Sequence, residues 1–308
     1  MREVSEVKNW IEGFQQSIDF IEENLASTLE IEDVAQKAAL SPFYYQRIFG
    51  ALCGMTVGEY IRARRMTLAA QELSSGDEKV IDVALKYGYD SPDSFAKAFQ
   101  KFHGILPSAA RKNGSSLKSF SRLVLKISLE GGSIMNYRIE NKPEMVFVGY
   151  KRRFTGTPAM RREQEYDFWC STRTNQHILK GLTFDLYTLY EVMTNFDEEG
   201  YDFYIAAPFD EKEIGDLVEE LGQEDAKRFE IFTVPAGQYL VCETERAVRP
   251  TLLTEALRKK AVSEWLPSSG YELADAPELA VSHWFYEKGN DAVMKNRYKE
   301  LWLPICQR

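Results

Sequence analysis

The 308-residue chain has little from which to build a metal or redox centre. Its four cysteines, Cys53, Cys170, Cys242 and Cys306, lie far apart and form no Cys-x-x-Cys pair. The three histidines, His103, His177 and His283, are equally scattered. This spacing argues against zinc and thiol–disulfide chemistry and fits a reducing compartment. A Gly-rich phosphate loop is also missing, so no cofactor is expected. No apolar run approaches the ~18 residues that span a bilayer. Met1–Trp10 is charged and lacks the apolar stretch of a signal peptide. These absences predict a soluble cytoplasmic protein with no membrane partner.

Acid is missing from one long basic stretch. The chain carries a net charge of −9, which taken globally argues against nucleic acid. Yet Ser94–Leu129 contains no Asp or Glu and holds Lys97, Lys101, Arg111, Lys112, Lys118, Arg122 and Lys126. Phosphate binding follows local positive charge, not the whole-chain sum.

What is present is a repeat. Asp33-Val34-Ala35, Ser41-Pro42, Phe49 and Gly54 recur as Asp82-Val83-Ala84, Ser91-Pro92, Phe99 and Gly104. Each copy reads as a short helix, a turn, a second helix opened by Ser-Pro, and a glycine stop. Serine accepts from first-turn amides and proline lacks an N–H that would be unsatisfied there, so Ser-Pro opens a helix well. This is a helix-turn-helix, whose second helix enters the DNA major groove. The second helices are expected at Pro42–Leu52 and Pro92–Phe102. Their outward residues are the candidate DNA contacts: Pro42, Phe43, Gln46 and Arg47, then Pro92, Asp93, Ala96, Lys97, Gln100 and Lys101. Tyr45, Ile48, Phe49 and Leu52 should be core in the first, and Phe95, Ala98, Phe99 and Phe102 in the second. Gln46 can pair with adenine, and Arg47 or Lys97 with guanine or phosphate.

Around the repeat, Val7–Asn24 has a helical apolar period, with Asp19, Glu22 and Glu23 expected to face solvent. Thr56–Ser74 reads as one long helix between the two heads. On it, Arg64 is either a buried tie between the heads or a phosphate contact. Gly/Ser clusters at Asn113–Ser116 and Gly131–Ser133 suit a flexible connection, and Leu123–Leu129 could form a short strand. After Met135 the residues favour strands at 137–139, 145–150, 201–207, 229–234, 239–243, 279–286 and 298–305, with helices at 160–179 and 252–266. The order is roughly βαββ twice. The predicted fold class is multidomain: an all-α N-terminal domain with two helix-turn-helix units and an α+β C-terminal domain with duplicated βαββ units. The predicted boundaries are 1–112, a 113–134 linker, and 135–308.

Residues 15–112 resemble the DNA-binding domain of AraC/XylS-type transcription regulators. The resemblance is carried by Ser41, Tyr44, Tyr45, Arg47 and Phe49, then Tyr60-Ile61, Arg65 and Ala69. It continues with Ile81, Ala84, Gly88-Tyr89, Ser94-Phe95, Phe99, Phe102, Gly104, Pro107 and Arg111. It implies seven helices, with two helix-turn-helix units bridged by one long helix. Residues 135–308 resemble the GyrI-like effector-binding domain through Val234–Tyr239, Trp265–Glu272 and Leu301–Ile305. That likeness implies amphipathic, often cationic ligands in an aromatic cleft with acidic residues. The implied partners are double-stranded promoter DNA, a small-molecule effector and RNA polymerase, for a monomer or homodimer.

The chain departs from the second pattern on its penultimate strand. The family commonly has Pro-x-x-Glu-x-Tyr there, with the Glu meeting a ligand cation. Here Pro277-Glu278-Leu279-Ala280-Val281-Ser282 puts Ala280 and Ser282 at those positions. Some relatives are hydrolases that activate water with that Glu and Tyr. With Ala280 in place, no catalytic residue is assigned and the protein is not expected to be an enzyme. Candidate ligand residues are Trp169, Tyr204, Trp284, Glu300 and Trp302, with Phe285 a further aromatic. The expected effector is mostly apolar or aromatic, without a strong demand for positive charge. The alternatives are a GyrI-like hydrolase or small-molecule-binding protein, and a ligand-free architectural DNA-binding protein.

Overall fold

The computed structural model describes residues 2–76, 78–112, 114–125, 135–156, 158–183, 185, 187–197, 199–210, 227–285 and 290–307. The chain divides into two compact units. One is Met1–Gly50 with Met55–Glu130; the other is Gly131–Arg308 with Ala51–Gly54.

The first unit is helical: α1 (Arg2–Glu23), α2 (Ile31–Lys37), α3 (Pro42–Cys53), α4 (Val57–Ser75), α5 (Val80–Lys86), α6 (Pro92–His103) and α7 (Pro107–Ala110). The repeat is structural as well as sequential. Val34 and Ala35 of α2 are buried, as are Val83 and Ala84 of α5. Ser91 accepts from the Ser94 amide at 3.2 Å, and Ser41 from the Tyr44 amide at the same distance. Gly54 and Gly104 close α3 and α6 in the left-handed region, at φ 68° and 83°. Around Phe14, Tyr45, Phe49 and Tyr60 the rings meet at centroid distances of 5.7–6.0 Å. The second head packs Val83, Ala84, Phe95 and Phe99 against Met66, Ala69, Ala70 and Leu73 of α4. On α3 the buried set is Tyr44, Tyr45, Ile48 and Phe49, so Tyr44 takes the place expected for the half-buried Leu52. On α6, Phe95 and Phe99 are fully buried while Ala98 and Phe102 are half-buried.

Two expectations are corrected here. Glu22 does not face solvent: Arg64 grips it with two nitrogens at 2.8–2.9 Å and Tyr60 donates to it at 2.6 Å. Arg64 is therefore a buried tie, but to α1 and to the Phe120 carbonyl at 2.5 Å, not to the second head. Nor does the stretch after Asn113 begin as a free connection. Backbone amides of Lys118, Phe120, Leu123 and Leu125 donate in turn to His103 Nδ1, Thr67, Tyr60 and Gln15, at 2.9–3.1 Å. Residues 121–125 do not pair as a strand; the rest of the strand expected at 123–129 lies outside the described residues.

The second unit is built on one antiparallel sheet: β1 (Tyr137–Lys142), β2 (Met145–Thr155), β3 (Thr188–Thr194), β4 (Gly200–Pro208), β5 (Glu230–Val234), β6 (Gly237–Glu243), β7 (Tyr271–Leu273), β8 (Glu278–His283) and β9 (Tyr298–Gln307). The order is β1-β6-β9-β8-β3-β4-β2-β5, with β7 against β9. This order is symmetric about the β8–β3 pair. It is the duplication expected from the sequence, with β1 and β5 each exchanged onto the other half. The sequence reading missed β3 and β7, and its single helix at 160–179 is two, α8 (Pro158–Ser171) and α9 (Arg173–Leu182). α8 packs on β2, α9 on β2 and β4, and α10 (Thr251–Lys260) on β9. The β3–β8 pair therefore forms the floor between the helices of the two halves.

Alternation along the strands sorts side chains between two faces. Val148, Tyr150, Leu189, Met193, Phe203 and Ile205 pack with Phe168 and Leu179 on the helix-bearing face. Phe147, Val192, Tyr204, Tyr239, Leu279, Val281 and Trp302 form the core cluster on the opposite face.

Candidate DNA interface and effector site

On α6, Pro92, Asp93, Lys97, Gln100 and Lys101 are exposed and Ala96 is half-buried. On α3, Pro42, Phe43, Gln46 and Arg47 are half-buried. Of the three arginines clustered on α4, Arg62 is exposed. Arg65 is anchored on the Leu25 and Ser27 carbonyls at 2.9 and 2.7 Å, and Arg64 on Glu22. The guanidinium of Arg64 holds Glu22 below the usual carboxylate range although burial pushes the other way. His103 closes the back of α6. Its Nδ1 accepts from the Lys118 amide, so Nε2 carries the hydrogen and donates to the Met66 carbonyl at 3.0 Å. Burial lowers its pKa, in keeping with a neutral ring.

In the second unit the five candidate ligand residues do not converge. Trp169 is half-buried against the helix-side core. Tyr204 and Trp302 belong to the opposite face. Glu300 lies two residues before Trp302 on that same face, accepting from Trp302 Nε1 at 2.7 Å and from Arg138 at 2.9 Å. Trp284 follows β8; its amide donates to the Tyr187 carbonyl at 2.8 Å and its ring lies 5.3 Å from the Arg297 guanidinium.

Position 280 is on the helix-bearing face, in register opposite Glu191 of β3 and Leu301 of β9. An acid thus stands one strand away from where the sequence pattern leads one to look. The strand that carries it, β3, lacks the apolar–polar alternation by which a sequence betrays a half-exposed strand. Glu191 is buried, and both its carboxylate oxygens lie 2.6 Å from the buried Lys299 ammonium. Beside it, Glu278 is fully buried and paired with Arg258 of α10. Glu165 comes down from α8, one turn before Phe168 and Trp169. Burial, with the Glu191 carboxylate nearby, pushes its carboxyl up to about 7. Over the group, Arg162 of α8 binds Glu255 of α10 at 2.5 and 2.6 Å and bridges the two helices.

The raised Glu165 has a sign that can be checked. Its ordinary value is 4.5, so between that and about 7 the folded domain holds a proton that the unfolded chain lacks. Stability then falls as pH rises through that window. Glu165→Gln is expected to raise stability on the order of 1–2 kcal/mol near pH 8 and to leave it unchanged near pH 4.5. Paired thermal melts at the two pH values check this; an equal difference at both would contradict it.

A model of helix-turn-helix domains matches residues 34–113, and the family of integron-associated effector binding proteins matches residues 138–305. The chain belongs to that effector-binding family. Joined to an AraC-type helix-turn-helix region, this makes it a DNA-binding transcription regulator with a small-molecule-binding C-terminal domain. Among relatives, it is 39% identical over 125 residues to the HTH-type transcriptional activator AarP of Providencia stuartii, covering 41% of this chain and 85% of that one. It is 38% identical over 97 residues to the regulatory protein SoxS of Salmonella typhimurium, covering 32% and 91%. Among solved structures, SAV2435 bound to tetraphenylphosphonium aligns with a TM-score of 0.40 at 16% identity, over 56% of this chain and 94% of that one. Among the described residues no helix is long and apolar enough to cross a membrane.

Proposed function

We propose that the protein reads promoter DNA through α3 and α6 and is switched by an aromatic or amphipathic effector. The effector binds between α8 and α10, over β3 and β8. The observation that carries the effector site is the register of Ala280 against Glu191. The position at which family members meet a ligand cation lies on the floor between the helices, and a second acid stands beside it. The aromatic residue contributed from the candidate set is then Trp169, whereas Glu300, Tyr204 and Trp302 serve the opposite face.

The DNA contacts are Pro42, Phe43, Gln46 and Arg47 of α3, with Pro92, Asp93, Ala96, Lys97, Gln100 and Lys101 of α6. Domain boundaries at 1–112 and 135–308 fit this division of labour, with 114–125 laid along the helical unit. Action is by binding, not catalysis, in the cytoplasm, as a monomer or homodimer that recruits RNA polymerase. A ligand can shift DNA affinity only through different affinity for two arrangements of the chain.

The test of the effector site is a fluorescence titration of the full chain with N-phenyl-1-naphthylamine, a neutral aromatic probe. Glu165→Trp fills the space between the helices and is expected to weaken binding at least about tenfold, ~1.4 kcal/mol. Trp302→Phe on the opposite face should change it little. The reverse ranking would move the site to the other face.

A further inference from the structure

Lys299 has an unusual reach. It sits on β9, Glu191 on β3, and β8 runs between them. The two are not in register: Lys299 lies opposite Ser282, and Glu191 opposite Ala280. Neighbouring strands are ~4.8 Å apart, so the side chain crosses about two strand spacings along a diagonal. It can do so because the residues beneath it are small. A glutamate at 280 and a tyrosine at 282 would fill the path that the ammonium takes. The resulting pair is closed from water, with Lys299 1% and Glu191 4% exposed at the side chain.

Such a pair is a poor device for stability. Removing both charges from water offsets most of their attraction, and apolar residues of like size often serve as well. What it does achieve is to neutralise an acid at the place where a ligand would meet it. The remaining charges around the group are balanced similarly: Glu278 by Arg258 and Glu255 by Arg162. Glu165 makes no side-chain hydrogen bond among the described residues and faces Glu191, Lys299, Arg258 and Glu255. On the same floor, the Ser282 hydroxyl is fully buried and has no hydrogen-bond partner among the described residues.

We infer that Lys299 is a specificity-determining residue, a tethered ammonium that takes the position of an effector cation against Glu191 and turns the site toward uncharged aromatic ligands. This rests on the effector site proposed above. The aromatic body would lie between α8 and α10. Cation selectivity is then latent: the acid is there, and only its internal partner keeps a ligand cation away.

The experiment uses the full chain near pH 6.5, where Glu165 mostly keeps its proton, with two probes of like shape, acridine (neutral) and N-methylacridinium (a permanent cation). Wild type should bind acridine at least as tightly as the cation. Lys299→Met should bind the cation at least tenfold tighter than wild type does, with acridine changed less than threefold. The double variant Lys299→Met/Glu191→Gln, which buries no lone charge, should lose that gain. If Lys299→Met alone folds poorly, the cation but not acridine should raise its melting temperature. A wild type that already prefers the cation by more than tenfold overturns the role of Lys299 and leaves the site standing. So does a folded Lys299→Met with no gain. If Glu165→Trp leaves both probes' binding unchanged, or if no variant binds either probe, the site itself is wrong.

Discussion

Arg47→Ala combined with Lys97→Ala is expected to lower affinity for target DNA at least about a hundredfold at ~0.15 M salt. Contacts of this type are worth roughly 1–3 kcal/mol each when made to a base edge, and two lie well apart on separate helices. The residues occupy equivalent outward faces of α3 and α6, the two helices opened by Ser41-Pro42 and Ser91-Pro92. If either residue meets phosphate instead of a base, the slope of log affinity against log salt should fall by about 1 per lost contact. The check is a salt titration of DNA binding by wild type, both single variants and the double variant. A double variant within threefold of wild type would remove these helices from the interface.

Arg64→Ala carries the other large effect, and it concerns stability. The guanidinium side chain is 12% exposed and Glu22 is 9% exposed, so removing it strands a buried carboxylate. Breaking one side of such a pair costs about 3–5 kcal/mol. For a domain of roughly this size that is on the order of 10 °C or more in melting temperature. Tyr60 and the Phe120 carbonyl lose their third member at the same time, so the path of residues 114–125 over the helical unit should loosen. Helical circular dichroism followed on heating measures the loss, and hydrogen exchange at the Phe120 and Leu123 amides reports the strap. A change below about 1 kcal/mol would mean the pair is replaceable by water, as exposed pairs are.

The helical half was largely legible from sequence because its signals are local. Ser-Pro openings, glycine stops and a 3.6-residue apolar period each act within one element, and the repeat states the arrangement twice. The misreadings there concern partners far along the chain. Glu22 reads as a solvent-facing acid until Arg64, 42 residues away, is brought to it. The 114–125 stretch reads as linker because nothing nearby reveals that Thr67, Tyr60 and Gln15 accept its amides.

The effector half was legible as a class of fold but not as a site. β3, Thr188–Thr194, contains Glu191 amid apolar neighbours and is buried on both faces, so it lacks the alternation that marks a half-exposed strand. Without β3 position 280 has no visible partner, and Glu300 is the one acid that the sequence pattern leaves for the cleft. Aromatic content does not by itself single out one face: Tyr204 and Trp302 belong to the core on the face away from the helices, and Trp169 packs on the helix side. On the proposal above, a neutral ligand would rest on the occupied Glu191 and not on the missing glutamate at 280.

The most direct test of the two-headed reading is a hydroxyl-radical footprint of the full chain on DNA selected from a random pool. Two helix-turn-helix units on one chain should protect two patches about one helical turn, ~10 bp, apart on the same side of the duplex. Lys97→Ala should weaken one patch and Arg47→Ala the other. A single protected patch, equally sensitive to both substitutions, would contradict the account.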